Sequence, residues 1–135
     1  MSDEADLIAA NSGFYAAFAA GDYAVMERLW ASEVAVSCVH PGWPPVDGRE
    51  KVLSTWRGIL ADPPKPAIRS LQEKARLLGD VGMVVCFEAI GDTYLVATNL
   101  FVRENGTWKI VHHQAAVTGQ APQETKESAS IHRLH

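Results

Sequence analysis

Residues Gly91 to Thr118 read GDTYLVATNLFVRENGTWKIVHHQAAVT, in which two runs of β-branched and aromatic residues flank a short polar turn. The turn contains Asn105 and Gly106, and an Asn-Gly pair between such runs indicates a β-hairpin because both residues accept positive φ. We therefore predict one strand from Tyr94 to Arg103 and a second from Thr107 to Val117. Both faces of this hairpin carry apolar side chains, so the rest of the chain is expected to enclose it.

The second strand of the hairpin carries two adjacent histidines, His112 and His113. Side chains alternate across a strand, so one histidine is expected on each face of the sheet. One face would carry Trp108, Ile110, His112 and Gln114, and the other Lys109, Val111, His113 and Ala115. Either set could face the interior.

The N-terminal part of the chain predicts two helices. Apolar residues recur at three- and four-residue steps from Asp3 to Ala20, which is typical of an amphipathic helix, and Gly21 is placed to end it. Asn11 and Tyr15 lie on the apolar stripe of this helix. Asp22 is expected to cap a second short helix.

A third helix and three further strands are predicted before the hairpin. Asp47 and Glu50 have the spacing of a capping box and would begin the third helix. Val34 to His40 is predicted as a strand because β-branched residues recur at alternate positions. Ile68 to Leu78 and Val81 to Ile90 are predicted as two more strands joined by a Gly-Asp turn.

This order of elements predicts an α+β domain. Where helices come first in the chain and adjacent antiparallel strands follow, the helices pack on one face of the sheet that the strands form. We therefore expect three helices in the N-terminal half to lie on a cone-shaped, curved antiparallel sheet and to enclose a cavity.

The composition and net charge of the chain argue against nucleic acids and acidic membranes as binding partners. The chain has 135 residues and a formal net charge of −4, with only 12 lysines and arginines. Nucleic acids and acidic membranes require clustered basic residues, so neither is an expected partner. Cys38 and Cys86 each lie in an apolar run and are expected to be buried thiols rather than a disulfide.

The length predicts one domain with a tail. Residues 1–118 are expected to form the domain, whereas 119–135 lose periodicity and collect polar residues, which predicts a C-terminal tail that the fold does not need. No apolar run approaches the roughly 20 residues of a membrane span, and the chain begins with acidic residues. We therefore expect a cytoplasmic protein.

From about Asp6 to Thr118 the chain resembles the nuclear transport factor 2-like superfamily, in particular its SnoaL-like and ketosteroid-isomerase-like members. The resemblance rests on five motifs, which are Gly21-Asp22, His40-Pro41-Gly42-Trp43, Asp47-Gly48-Arg49-Glu50, Asn99-Leu100-Phe101 and Trp108-Lys109-Ile110-Val111-His112-His113. It implies the cone-shaped fold and a homodimer paired through the outer sheet face. The superfamily contains isomerases, cyclases, dehydratases and proteins that only bind, so function depends on the site.

Isomerases of this family are similar in having a carboxylate base near the end of the first strand and an acid or tyrosine pair across the cavity. This chain has His40 at that strand end. Tyr15 could match the tyrosine, and Asn99 occupies the opposing position instead of an acid. The resemblance therefore does not imply a steroid isomerase.

Two side chains stand out by their apolar surroundings. His40 ends an apolar strand and could exchange a proton near neutral pH, or it could be a hydrogen-bonded structural residue. Glu88 lies in a run without other charges, and a buried carboxylate must find a partner or have a raised pKa. A histidine, Arg49 or Arg103 could pair with it. Glu88 could therefore be either part of a structural ion pair or a catalytic acid.

We predict His40 as proton acceptor, Glu88 as the residue that orients a histidine, and His112 as a further catalytic residue. Asn99 and a hairpin histidine would donate hydrogen bonds to an oxyanion. The residues expected to line the ligand site are Tyr15, Cys38, Trp43, Trp56, Asn99, Phe101, His113 and Gln114. Trp43, in a loop rich in proline and glycine, is expected to act as a lid.

No cofactor is expected, and no metal site, because ligand spacing such as His-x-His is absent from the sequence. Two hypotheses follow. One is a cofactor-independent acid–base enzyme of isomerase, cyclase or dehydratase type on a small apolar compound. The other is a noncatalytic ligand-binding or dimerisation module.

Overall fold

A computed structural model describes residues 2–123. Within this range lie three helices, α1 (Asp3–Ala20), α2 (Tyr23–Leu29) and α3 (Arg49–Ala61). The strands are β1 (Ser37–Val39), β2 (Val46–Asp47), β3 (Arg69–Leu78), β4 (Val81–Ile90), β5 (Thr93–Glu104) and β6 (Thr107–Thr118). The predicted tail lies, from residue 124 onward, outside the described residues.

The strands form one curved, unclosed sheet in the order β2-β1-β6-β5-β4-β3. The long strands β3 to β6 are sequential antiparallel neighbours, as predicted. Strand β1 instead pairs in parallel with β6, so the sheet is mixed. The α+β class with three helices on a curved sheet is confirmed.

The hairpin is confirmed together with its turn. Asn105 and Gly106 have φ of 53° and 78°, the positive values that this turn requires. The hairpin strands pair regularly from Glu104 and Thr107 as far as Phe101 and Ile110. Each strand extends one or more residues beyond the prediction.

A β-bulge in β6 changes which side chains face the helices. Phe101 pairs with Ile110 and Leu100 with His112, so Val111 is an extra residue in the ladder. Trp108 and Ile110 are buried before the bulge, and His113 and Ala115 are buried after it. The two predicted sets of alternating residues are therefore wrong, because the bulge reverses the alternation. The adjacent histidines still occupy opposite faces.

The ends of the first two helices follow the prediction. Gly21 adopts left-handed φ of 66° and ends α1, and the side chain of Asp22 accepts a hydrogen bond of 3.1 Å from the Val25 amide. The predicted capping box is wrong, because Gly48 is the N-cap of α3 and no side chain caps it. Asp47 belongs to β2 and pairs with Ser37.

Strand β1 is shorter than the predicted run from Val34 to His40. The segment before it is held by Glu104 instead of by strand pairing. The Glu104 carboxylate accepts the amides of Ser32 and Glu33 at 3.0 and 2.8 Å. These hydrogen bonds lower the pKa of Glu104. They anchor the loop that leads from α2 to β1.

The core lies between the helices and the concave face of the sheet. Ring side chains fill its centre, with Phe14 in edge-to-face contact with Trp56 at 5.4 Å between ring centroids. Phe18 contacts the same tryptophan at 4.9 Å. Cys38 and Cys86 are both buried and free. None of the helices described within residues 2–123 has the length and apolarity to span a bilayer.

Replacing Gly21 with alanine is expected to lower the free energy of unfolding by about 1–3 kcal/mol. The new Cβ would lie 2.8 Å from the carbonyl oxygen of Leu60, in a backbone conformation that alanine disfavours. Gly13, inside α1, has no atom within 4 Å of such a Cβ. Gly13→Ala should therefore raise stability by about 0.5–1 kcal/mol. Urea denaturation measures the free energy of unfolding of both variants. Equal changes in this free energy in Gly21→Ala and Gly13→Ala would contradict the expectation.

Candidate functional site

Five polar side chains meet in the apolar interior between α1 and the concave sheet face. Each is 3% exposed or less. Helix α1 and strands β4, β5 and β6 contribute them from positions that otherwise carry apolar residues. We call this set the polar cluster, and its members are Asn11, Tyr15, Glu88, Asn99 and His113.

A carboxyl group and a phenol form a short hydrogen bond in the polar cluster. The Tyr15 hydroxyl donates to Glu88 Oε2 at 2.6 Å. Burial raises the pKa of Glu88 to about 7, and the hydrogen bond from Tyr15 opposes this shift. Burial and the nearby Glu88 charge raise the pKa of Tyr15 well above its usual value. Near neutral pH, Glu88 can therefore both accept and release a proton, whereas Tyr15 stays protonated.

His113 is the second titratable group beside Glu88. Its Nε2 lies 3.9 Å from Glu88 Oε2, and its Nδ1 lies 2.6 Å from Asn99 Oδ1. Burial, with smaller contributions from His40 and His112, lowers the pKa of His113 to about 3. The imidazole is therefore neutral at physiological pH.

Asn99 and Asn11 connect the polar cluster to a carboxylate at its edge. Asn99 Nδ2 donates to Asn11 Oδ1 at 2.9 Å and to the Tyr15 hydroxyl at 3.2 Å. Asn11 Nδ2 donates to Glu73 Oε2 at 2.7 Å. The side chains of the polar cluster are thus hydrogen-bonded to one another and to Glu73, which is the condition for keeping them in an apolar core.

His40 lies next to the polar cluster, with 6.3 Å between its ring centroid and that of His113. The Thr55 hydroxyl donates to the Val52 carbonyl at 2.6 Å, so it accepts a hydrogen bond of 2.9 Å from His40 Nε2. The remaining nitrogen, Nδ1, is the one that could accept a proton. Burial lowers the pKa of His40 to about 4.

A surface depression of about 510 Å³ lies on the far side of His40. It is lined by Trp43, Ser54, Thr55, Gly58 and Ile59. Trp43 is 47% exposed, and its ring contacts His40 at 5.0 Å. The turn that places it has a 2.9 Å hydrogen bond from the Trp43 amide to the His40 carbonyl, and Gly42 at φ of 80°. His40 thus contacts two residues that line the depression, Trp43 and Thr55, and lies next to His113 of the polar cluster.

The structure brings most of the predicted site residues into one region. Tyr15, Glu88, Asn99 and His113 belong to the polar cluster. Cys38, Trp43 and Trp56 surround His40, with the Cys38 sulfur 3.6 Å from His40 Nε2. Phe101 is buried in the core.

Two predicted site residues do not join this region. His112 lies on the opposite face of β6, where its Nδ1 is 2.7 Å from Ser37 Oγ. Gln114 is exposed and contacts His112 at 3.2 Å. The bulge at Val111 is the reason, since it directs His113 inward in place of its neighbour.

Sequence reasoning did not include Asn11, Thr55 or Glu73 among the site residues. Asn11 had a detectable signal, because it is a polar residue on the apolar stripe of α1. The sequence carries no comparable signal for Glu73 or Thr55. The position of Glu73 depends on a bulge in β3, and that of Thr55 depends on the packing of α3 against β1. Within residues 2–123, no group of three potential ligand side chains is arranged to hold a metal ion.

Comparison with known proteins places the chain in a family. The SnoaL-like domain family matches residues 7–119. A proposed dehydratase of the NTF2-like family from Streptomyces avermitilis is 30% identical, with a TM-score of 0.78 over 87% of this chain and 97% of that one. A proposed calcium/calmodulin-dependent protein kinase type II association domain from Thiobacillus denitrificans is 32% identical, with a TM-score of 0.64 over 82% and 94%.

The F-box protein SKIP8 of Arabidopsis thaliana is 25% identical over 114 residues, which are 82% of this chain and 49% of that protein. The chain thus spans about half the length of this curated relative. The family match covers most of the chain, including every member of the polar cluster. The chain therefore belongs to the SnoaL-like domain family of the nuclear transport factor 2-like superfamily.

Proposed function

We propose that this protein is a cofactor-independent acid–base enzyme, of isomerase, cyclase or dehydratase type, that acts on a small and mainly apolar compound. The observation that carries the proposal is the place of the Glu88 carboxyl, which is 2% exposed and lies 2.6 Å from the Tyr15 hydroxyl and 3.9 Å from His113 Nε2. Burial there raises its pKa to about 7, in the range where a side chain both accepts and donates protons. Strongly perturbed groups of this kind concentrate at functional sites. The similarity to a proposed dehydratase is in keeping with this class of chemistry.

Each neighbour of Glu88 has a defined role in the proposal. Glu88 exchanges the proton, and Tyr15, which stays protonated, donates a hydrogen bond to charge that develops on oxygen. His113 accepts a hydrogen bond at Nε2, because its Nδ1 is engaged by Asn99. His40, whose Nε2 is bound to Thr55 at the edge of the depression, accepts a proton at Nδ1.

The substrate is proposed to enter from the depression beside Trp43. The lining is mainly apolar and aromatic, which suits a small compound with one or two polar groups. Trp43 and His40 would have to move for a ligand to reach Glu88, since the polar cluster is closed to solvent. We therefore propose that Trp43 acts as a lid over the route to Glu88.

The test of the site is a screen of small carbonyl and hydroxy compounds by NMR on the full chain. A ligand of this site should shift the signals of His40, His113 and Trp43, and Trp43→Ala should weaken its binding about tenfold. Val34 is also 47% exposed and lies outside the depression, so Val34→Ala is the matched control and should leave affinity unchanged. Ligands that shift none of these signals would remove the proposed entry site.

The second candidate function is a noncatalytic binding or association module. The similarity to a proposed association domain favours it. Turnover of the compounds that bind discriminates the two candidates, because a binding module would bind compounds at the depression without turning any of them over.

The outer face of the sheet supports a proposed homodimer. Val96 is 39% exposed there, and half-buried apolar residues of β4, including Val85 and Phe87, lie beside it. No helix within residues 2–123 covers them. Apolar patches of this kind on a monomer usually mark an interaction surface.

Light scattering after size exclusion is expected to give about twice the 14.7 kDa of one chain. Val96→Asp should shift the protein to the monomer, because it places a charge in the proposed interface. Val34→Asp, an equally polar change off the sheet, should stay dimeric. A wild-type monomer at micromolar concentration would contradict the proposed pairing.

A further inference from the structure

A second β-bulge, in β3, directs a carboxylate toward the polar cluster. Leu71 pairs with Phe87 and Lys74 with Val85, so Gln72 and Glu73 together lie opposite one residue of β4. Gln72 adopts positive φ of 52° and is exposed, while Glu73 is half-buried. The bulge thus points Glu73 to the helix-facing side, where it meets Asn11 at 2.7 Å.

The charge of Glu73 fixes the orientation of two buried amides. The Glu73 carboxylate only accepts hydrogen bonds, and its Oε2 lies 2.7 Å from the Asn11 amide. Asn11 must therefore present its Nδ2 to Glu73 and its Oδ1 to Asn99. Asn99 must in turn donate through Nδ2, at 2.9 Å, which leaves its Oδ1 facing His113.

The orientation of Asn99 determines which nitrogen of His113 carries the proton. An amide oxygen accepts, so the 2.6 Å contact requires a proton on His113 Nδ1. The neutral ring then has an unprotonated Nε2, and this nitrogen is the one that lies 3.9 Å from Glu88. The same Asn99 amide donates to the Tyr15 hydroxyl at 3.2 Å, which leaves the Tyr15 proton for Glu88.

We propose that Glu73 is a positioning residue that sets the His113 tautomer through Asn11 and Asn99, so that His113 presents an unprotonated Nε2 to the reaction site as a hydrogen-bond acceptor. The inference rests on the proposed function for its catalytic meaning. The tautomer itself is a property of the protein without substrate. Glu73 does not touch the reacting groups, and it acts only through the two amides.

The test is a nitrogen-15 NMR measurement of the histidine side chains at neutral pH, which reports the protonated nitrogen of each ring. Wild-type His113 should be the Nδ1–H tautomer. In Glu73→Lys the side chain at position 73 can only donate a hydrogen bond to Asn11. The side-chain amides of Asn11 and Asn99 should therefore both rotate by about 180°, and His113 should become the Nε2–H tautomer. In Glu73→Gln an amide oxygen can still accept from Asn11, so the wild-type tautomer should return.

Ser12 provides a matched control, because its hydroxyl contacts the same Glu73 oxygen at 3.5 Å without being part of the chain of amides. Ser12→Ala should keep the Nδ1–H tautomer. If Glu73→Lys does not fold by circular dichroism, Glu73→Ala takes its place and should give a mixture of the two tautomers.

Two results would overturn the inference. One is an Nε2–H tautomer for His113 in the wild type, and the other is a pure Nδ1–H tautomer in a folded Glu73→Lys or Glu73→Ala variant. Both are read without substrate, so they are independent of whether the protein is an enzyme. Conversely, inactive wild-type protein with the expected tautomers would remove the proposed function and leave the role of Glu73 intact.

Discussion

Glu88→Gln is expected to lower turnover by about 10²-fold or more on any substrate that the screen identifies, with the fold retained. Glutamine has nearly the shape of glutamate, and its amide oxygen can still accept the hydrogen bond that Tyr15 donates at 2.6 Å. The glutamine side chain cannot gain or lose a proton near neutral pH. Steady-state kinetics on the purified variant measure the loss.

Glu104 offers a matched control, since it is a second buried glutamate, at the end of β5, and lies outside the polar cluster. Its carboxylate accepts the Ser32 and Glu33 amides, so Glu104→Gln should lower stability and leave turnover of the folded protein close to the wild-type value. Wild-type turnover in Glu88→Gln, with folding shown by circular dichroism, would favour the noncatalytic module.

The stability of the wild type relative to Glu88→Gln is expected to fall by about 2–3 kcal/mol between pH 5 and pH 8. Burial raises the pKa of Glu88 from 4.5 to about 7, so over much of this range the folded state holds a proton that the unfolded state has released. Stability therefore decreases as pH rises, and the decrease ends above the folded pKa. The glutamine variant lacks this group and should show no such loss.

The buried histidines act in the opposite direction and at lower pH. Burial lowers the pKa of His40 to about 4 and that of His113 to about 3, so the unfolded chain binds protons first as pH falls below about 6.5. Their contribution to stability is complete above that pH and is lost as pH falls toward the folded values. Together with Glu88, they place the greatest wild-type stability at about pH 7.

Urea denaturation of both proteins at pH 5 and pH 8 provides the measurement. The histidines are common to the two proteins, so their effect cancels in the difference. A difference that does not change with pH would mean that Glu88 titrates alike in the folded and unfolded chains.

The parts of the fold set by local chemistry could be predicted from the sequence. Asn105-Gly106 gave the hairpin turn because few residue pairs accept its backbone conformation. Gly21 and Asp22 gave the break between α1 and α2 for similar reasons. The capping box failed because Asp47 pairs with β1 instead, and that pairing depends on residues distant in the chain.

The site was predictable where a polar residue interrupts an apolar run, as Glu88 and Asn99 do. The inward histidine was not, because a single extra residue at Val111 reverses the faces of β6. Glu73 depends in the same way on a bulge in β3. Bulges arise from the pairing of two strands, and neither strand alone reveals them.

The claim that joins the structure to the proposed function is that Glu88 exchanges a proton near neutral pH. Carbon-13 NMR of the side-chain carboxyl groups, assigned by comparison with Glu88→Gln, measures its titration directly in the full chain. We expect a pKa of about 7, with the carboxyl still partly protonated at physiological pH. A Glu88 carboxyl that titrates at the usual value of 4.5 would contradict the account.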